Sequence, residues 1–386
     1  MLKGIKLKLY PNQKQKDQLG QMFGNDRFVW NIMLAMMNER YRNNHNLPFL
    51  GKFNLNYLLK PLKKEYSFLK ASDSSSLQVV NEFLVKAWTD FFNDHTGRVN
   101  KPQHHYRKFW RNSYTGKSII EVAGNRYLRI PKLGYVKTSS TSPLKKIKIK
   151  RYTVSLEATG KYYVTFQVEG PKPAPYPATG QQVGIDVGIA DLAILSNGDK
   201  YPSFDGSYFE KKAKYWQRKY SRRRHLAKLL SLQDRHRKVL CPRSLENFSN
   251  WQRARKQKAV FQTKVADKRK DYLHKLTTNL VKNYDVIVIE DLKAKNLQRN
   301  HHLAKSIANA SWYLFRQMLE YKCAWYGKKL IKVNPKNTSR ICSKCGYNSG
   351  EKPLEIRAWT CPKCHTWHDR DINAAINILQ KAKPAL

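Results

Sequence analysis

The chain has 386 residues, with 73 Lys plus Arg against 28 Asp plus Glu and a net charge of +45. Hydrophobic residues at 41% and aromatics at 12% supply enough apolar surface for packed cores, which excludes a wholly disordered chain. No apolar run approaches the ~20 residues of a spanning helix, and the opening MLKGIKLKLYP has no apolar signal stretch, so a cytoplasmic protein without a membrane is expected.

Self-repulsion at +45 destabilises a compact state unless a polyanion neutralises it, so the expected partner is nucleic acid. KGIKLKLY alternates with period two and predicts a first strand. Pro11 and Asn12 open a helical region over about 12–45, with Leu19, Phe23, Trp30, Met33 and Leu34 as apolar contacts. Residues 74–93 form the clearest amphipathic helix. Ser74 to Ser76 can cap it, and Leu77, Val80, Leu84, Ala87, Trp88 and Phe91 recur at helical spacing. From 95 to 170, short alternating runs separated by Gly, Pro and Ser predict antiparallel sheet, a small barrel that the first strand joins. GPKPAPYPATG (170–180) is a Pro-rich linker.

Beyond the linker, QQVGIDVGIADLAILSNG predicts a strand, a turn and a second strand, with long helices over 207–281. Residues 207–275 carry 22 Lys or Arg against five acids, and Leu273, Leu276 and Leu280 form an apolar stripe. DVIVIE (285–290) is apolar on both faces and predicts a buried strand. A helix over 303–327, a strand over 329–333, a cysteine-rich insert and a last helix from about 371 complete an α/β second half.

Four of the six cysteines form C-x2-C, fifteen residues, then C-x2-C: Cys342, Cys345, Cys361 and Cys364. Two such knuckles place four thiolates around one Zn²⁺. The competing pair of disulfides is disfavoured in the cytoplasm. Four thiolates leave no place for a reactive water, so the zinc is structural. Gly346 follows the first knuckle and His365 takes the equivalent place in the second, where the turn is expected to differ. Cys241 and Cys323 have no partner in sequence.

Carboxylates are scarce, and three stand out. In GIDVG, strand alternation puts Gly184, Asp186 and Gly188 on one face, and the glycines are read as clearing room for metal ions and a phosphate. Asp191 is a weaker candidate, in a turn after the strand. Glu290 ends a core strand, where an acid is expensive unless solvated, paired or metal-bound, and Asp291 points the other way. HDRDINAAINIL offers Asp369 and Asp371, the latter beginning a helix with Ala374, Ala375, Ile378 and Leu379 on its apolar face. Three acids on separate elements can hold two Mg²⁺ ions ~4 Å apart for phosphodiester hydrolysis.

The order GIDVG, IVIEDL, two C-x2-C knuckles and DRDINAAINI resembles a RuvC-like nuclease split by a zinc ribbon, and most closely the TnpB family of transposon-encoded RNA-guided nucleases. DKRKDYLHKL, SWYLFRQMLEYKCAWYGKKL, NPKNTSRICSKCG, YPNQKQKDQL and SSLQVVNEFLVKAW are also TnpB-like, and the resemblance is most specific over 181–381. It implies a multidomain α/β fold: a small wedge β-barrel from 1–10 and 95–170 with an inserted helical recognition domain (11–94), and a linker at 171–180. An RNase H-like RuvC domain (181–335 and 369–386) would hold an inserted zinc ribbon (336–368). The resemblance carries a catalytic, Mg²⁺-binding triad onto Asp186, Glu290 and Asp371, the D-x-N-A pattern selecting Asp371 over Asp369. It carries the zinc ligands onto the four knuckle cysteines, with His365 departing from the usual Gly. It further implies a monomeric protein on one guide RNA from the transposon end. Base pairing would read the target DNA beside a short adjacent motif, and one centre would cut both strands in turn.

Family helices like 74–93 contact the adjacent motif, which makes Gln78 a candidate for a base edge and Lys86 for a phosphate; for Gln78 a solvated face competes. KPQHHYRKFWRNSYTGK interleaves aromatics with cations, as in grips on unpaired bases, so Tyr106, Arg107, Lys108, Trp110 and Arg111 are candidates. Phe109 and Trp110 as plain barrel anchors are the rival reading. Arg222, Arg223 and Arg224 are expected on RNA or heteroduplex backbone. The alternatives in function are a guided DNA-binding protein that does not cut, and an unguided RuvC-like resolvase.

Overall fold

The computed structural model describes residues 1–382 apart from 45, 107–110, 145–146, 292–310 and 354. The chain divides into two compact units, Met1–Pro171 and Lys172–Leu386. No described helix is long and apolar enough to cross a membrane.

In the first unit, β1 (Leu2–Tyr10) buries Leu7 and Leu9. Its lysines alternate with them, which is the pattern of a half-buried strand. Helix α1 (Gln13–Asn43) starts at Asn12, whose side chain accepts from the Gln15 N–H at 2.9 Å while the Gln15 side chain accepts from the Asn12 N–H at 3.0 Å. This reciprocal capping fixes the turn out of the strand. Helix α2 (Lys52–Glu65) has no counterpart in the sequence expectations. Pro61 inside it reads as a breaker, yet Leu55, Leu59 and Leu62 recur at helical spacing and are buried.

Helix α3 (Ser74–Phe92) is capped by Asp73, one residue before the serines expected to do so. The Asp73 carboxylate accepts from the Ser75 N–H at 3.0 Å, and from the hydroxyls of Ser75, Ser118 and Tyr152 at 2.7, 2.9 and 2.9 Å. Two oxygens collect donors from a helix start and two distant segments at once, which one hydroxyl cannot do.

The remaining strands are β2 (Asn112–Gly116), β3 (Glu121–Ala123), β4 (Tyr127–Ile130), β5 (Gly134–Thr138), β6 (Lys148–Leu156) and β7 (Tyr162–Glu169). They form one sheet with β1 in the order β2-β6-β7-β1-β5-β4-β3, each ladder antiparallel. Among the described residues no β2–β3 ladder closes it, so the expected barrel is an open sheet by its hydrogen bonds. The last strand, β3 (three residues), pairs only with β4 among the described residues. Leu19, Met22 and Phe23 of α1 share the sheet's core, while Val29, Met33, Leu55, Leu77 and Leu84 join α1, α2 and α3 in a second core.

The second unit centres on five strands: β8 (Gln182–Asp186), β9 (Asp191–Leu195), β10 (Lys200–Pro202), β11 (Val286–Glu290) and β12 (Lys329–Val333). Their order is β10-β9-β8-β11-β12, with β8, β9 and β10 antiparallel and β8, β11 and β12 parallel. Helices α4 (Ser207–His236) and α5 (Ser249–Asn283) resolve the predicted 207–281 region. Helix α6 (Trp312–Tyr326) carries the described part of the 303–327 expectation. On one face of the sheet, Val183, Ile185, Ile287 and Ile289 pack against Leu273, Leu276 and Leu280 of α5 and Phe315, Met318 and Leu319 of α6. On the other, Val288 and Val333 pack against Ile378 of α7 (Arg370–Lys381). A hairpin of β13 (Ala358–Thr360) and β14 (Trp367–Asp369) sits in the cysteine insert between β12 and α7.

Candidate functional site

Strand register decides where the acids go. β8 and β11 pair in parallel with Val288 opposite Gly184 and Ile289 opposite Ile185. Asp186 and Glu290 are the next residues on each strand. Alternation therefore sends both side chains to the α7 face, on strands ~4.8 Å apart. The first turn of α7 brings Asp371 to the same end. Carboxyl ends of parallel strands are where ligands of open α/β sheets bind.

The glycines beside Asp186 do something other than expected. A Cβ on Gly184 would lie 2.1 Å from the Ala375 carbonyl oxygen and 2.8 Å from the Leu379 nitrogen. The missing side chain thus seats α7 on the sheet rather than clearing space for an ion. At Gly188 the same substitution would meet the Asp191 carbonyl at 2.7 Å. Asp191 itself is the first residue of β9, not a turn residue.

Asp186 feels the other two acids. Burial, then the charges of Glu290 and Asp371, pushes the Asp186 carboxyl up to about 7. Burial also raises Glu290, against the Thr338 hydroxyl and Lys381, which favour its charged form. Thr338 donates to Glu290 Oε1 at 2.6 Å, and Glu290 is only 8% exposed. Arg357 approaches Asp371 Oδ2 at 3.4 Å.

Asp369 is occupied elsewhere, as the N-cap of α7, accepting from the N–H groups of Asp371 and Ile372 at 3.0 and 3.1 Å and from Lys200 Nζ at 2.7 Å. Asp291 turns to the opposite face, where Arg316 of α6 meets it at 2.6 Å. Among the described residues the cysteine quartet alone is tight enough to grip one ion as it stands; the three acids are within Coulombic reach but are not drawn together. Sequence reasoning missed Thr338, Lys200 and Arg357, because nothing local marks a residue whose partner lies far along the chain.

The quartet fits zinc. Its four sulfurs lie within 4.8 Å of one another. Cys342 Sγ is 3.7 Å from Cys364 Sγ, and Cys345 Sγ is 3.6 Å from Cys361 Sγ. Four sulfurs ~2.3 Å from a central Zn²⁺ would be ~3.8 Å apart, the edge of that tetrahedron. Both knuckles close alike: the Gly346 N–H donates to the Cys342 carbonyl and the His365 N–H to the Cys361 carbonyl, each at 2.9 Å. His365 adopts φ +52°, close to Gly346 at +74°. The expected difference at this turn is therefore absent, and His365 bears the left-handed backbone instead. His368 Nε2 lies 3.0 Å from Cys342 Sγ. Cys323 is buried, its thiol pushed up to about 12 by that burial, and Cys241 is exposed; neither joins the quartet.

The nucleic-acid candidates scatter. Gln78 is exposed on α3, and Lys86 is exposed but pairs with Asp90 at 3.0 Å. Tyr106, 63% exposed, and Arg111 are free of the core, whereas Arg107, Lys108 and Trp110 lie outside the described residues. Arg222 is exposed and Arg224 half-buried on α4. Arg223 instead donates to the Asn250 carbonyl at 2.9 Å, tying α4 to the start of α5.

A mixed sheet with acids at the ends of its parallel strands, followed by four clustered cysteines, defines the second unit as an α/β protein with a candidate metal site in its cysteine insert. Three family models match in turn: "Helix-turn-helix domain" over residues 1–46, "Probable transposase" over 165–301 and "Cas12f1-like, TNB domain" over 312–378. The described residues of this first match form a strand and one long helix, Leu2–Tyr10 and Gln13–Asn43.

A Streptomyces pristinaespiralis protein named "Putative RNA-guided DNA endonuclease" is 32% identical over 98% of this chain and 88% of its own. An Escherichia coli protein so named, InsQ, is 29% identical over 98% and 92%. A TnpB-like protein of Acanthamoeba polyphaga mimivirus is 23% identical over 97% and 72%. The chain belongs to this TnpB family of RNA-guided endonuclease-like proteins.

Proposed function

We propose that the chain is an RNA-guided DNA endonuclease whose hydrolytic centre is Asp186, Glu290 and Asp371. The observation that carries the reading is their placement at one end of the sheet. Three acids from two strands and a helix stand at one end of the sheet within Coulombic reach, and burial, then the charges of Glu290 and Asp371, pushes Asp186 up to about 7. The names of full-length relatives support it, and so does the charge of +45, which suits a chain that holds both RNA and DNA.

Hard carboxylate oxygens suit Mg²⁺, and Asp186, Glu290 and Asp371 would hold it. When bound, the metal supplies an activated water and stabilisation of the leaving oxygen. The chain's own residues prepare this place. Thr338 orients Glu290, and Asp369 caps α7 so that Asp371 stays at the sheet's end. Lys200 is held beside the acids by Asp369. The cysteine quartet would hold one structural Zn²⁺.

The guide would be RNA from the transposon end, and the target double-stranded DNA beside a short motif. The first unit would form the wedge and recognition domains, with RuvC-like and ribbon parts in the second. The test is purification without nuclease, sequencing of the bound RNA, and cleavage of a matched plasmid. A single RNA species with a variable end and Mg²⁺-dependent cutting are expected. Asp186→Ala, Glu290→Ala and Asp371→Ala should each cut at least ~100-fold more slowly while target binding persists. Full cutting by any of them would remove that residue from the centre.

A further inference from the structure

Glu290 is held from behind by a residue of the cysteine insert's base. The Thr338 hydroxyl lies 2.6 Å from Glu290 Oε1 and 3.1 Å from the Pro335 carbonyl oxygen. A hydroxyl has one proton to give, and the shorter contact to a charged acceptor takes it. Thr338 is 6% exposed, so water is a poor substitute for that donor.

The segment bearing Thr338 is itself fixed by α7. Asn377 Nδ2 donates to the carbonyls of Thr338 and Ile341 at 2.8 and 2.7 Å. Asn373 Nδ2 donates to the Ile341 carbonyl at 2.8 Å while its Oδ1 accepts from the Ser343 N–H at 2.9 Å. Gln380 Nε2 donates to the Ser343 carbonyl at 3.0 Å. Asn373 and Asn377 are 1% and 5% exposed. Buried asparagines are poor choices for a helix, and their side chains here serve residues 338–343, the base of the first cysteine knuckle. One helix thus carries both Asp371 and the amides that fix the mount of Glu290.

We infer that Thr338 is a positioning residue for Glu290, and that the α7 amides and the ribbon base form the bracket that holds it there. The inference rests on Glu290 belonging to the hydrolytic centre proposed above. A second oxygen of the same carboxylate, Oε2, stays free of any side-chain donor among the described residues, so the bracket orients the acid without consuming it.

The test uses the full chain with its co-purified RNA. It compares Thr338→Val, Thr338→Ser and Glu290→Gln by single-turnover cleavage at saturating target, Mg²⁺ titration midpoint, target Kd and Tm. Thr338→Val is expected to slow cleavage by about 10- to 100-fold and to raise the Mg²⁺ midpoint, with Kd and Tm unchanged, and Thr338→Ser to recover most of the rate. An unmoved rate and midpoint in Thr338→Val, with Glu290→Gln inactive, would overturn the positioning role and leave the centre standing. Cutting by Glu290→Gln would overturn the centre itself, and the positioning role with it. Should Thr338→Val fail to fold, Asn377→Ala keeps the hydroxyl and breaks its mount. A raised Mg²⁺ midpoint there supports the bracket, and a wild-type midpoint overturns it.

Discussion

Gly184 shows how a single residue serves a distant partner. The α7 backbone lies against it, so a methyl group there would have to push a helix, not a flexible side chain. Gly184→Ala should cost about 3 kcal/mol or more and lower activity, because Asp371 rides on the displaced helix. Thermal melts check this, and a variant as stable as the parent would mean that α7 is not seated on β8. The residue was legible as special but not for the right reason. GIDVG announces that side chains are excluded on one face, whereas the object that excludes them is α7, whose Ala375 lies far along the chain. The cysteines were legible because a C-x2-C knuckle is a local object, complete within a few residues. His365 occupies the left-handed place at the second knuckle although it has a Cβ, so four converging sulfurs outweigh one strained backbone angle.

At the scale of elements, the junction of α5 and α6 holds a buried cation. Lys322 is 5% exposed and donates to the His274 carbonyl and to the hydroxyls of Thr277 and Thr278, each at 2.7 Å. No carboxylate faces it in these contacts, and burial lowers its ammonium to about 8 from 10.5. The folded state therefore binds fewer protons than the unfolded state between pH 8 and 10.5, so this group makes stability rise with pH across that window. The penalty is full below pH 8. In Lys322→Met that component should vanish, and the Tm of the variant minus that of the parent should fall by a few degrees from pH 7.5 to 10. A constant difference would show that the ammonium is not desolvated.

The elements themselves were largely readable. Periodicity marks β1, α1, α3, α5 and β12, because each has one apolar face of the right repeat, and β11 shows as a short run apolar on both faces. Helix α2 was not read, since Pro61 masks a leucine series that tertiary packing nevertheless buries. The cap of α3 lies one residue before the expected serines, because Asp73 draws its value from Ser118 and Tyr152 far along the chain.

At the scale of the whole molecule, the charge of +45 dominates. Binding of RNA should weaken steeply with salt as counterions are released. Arg222→Ala with Arg224→Ala should flatten the slope of log K against log salt by roughly 1.4 if each arginine meets one phosphate. Arg223→Ala should instead destabilise the α4–α5 pair, through the lost bond to Asn250. Filter binding across a salt series separates the two, and an unchanged slope in the double variant would take those arginines off the nucleic acid. Charge was legible from composition alone, but which cations are free to meet a polyanion was not, since that depends on which of them the fold has already engaged.

The insert between β12 and α7 has one more effect. Those elements are joined through 36 residues, from 334 to 369, a long stretch whose ends cost entropy to hold together. An ion gripping Cys342 and Cys345 at one end and Cys361 and Cys364 at the other would gather most of that stretch into a single knot. The helix bearing Asp371 would then be kept at high effective concentration beside the sheet, so the occupancy of the sulfur site would govern how often the last acid is at its post.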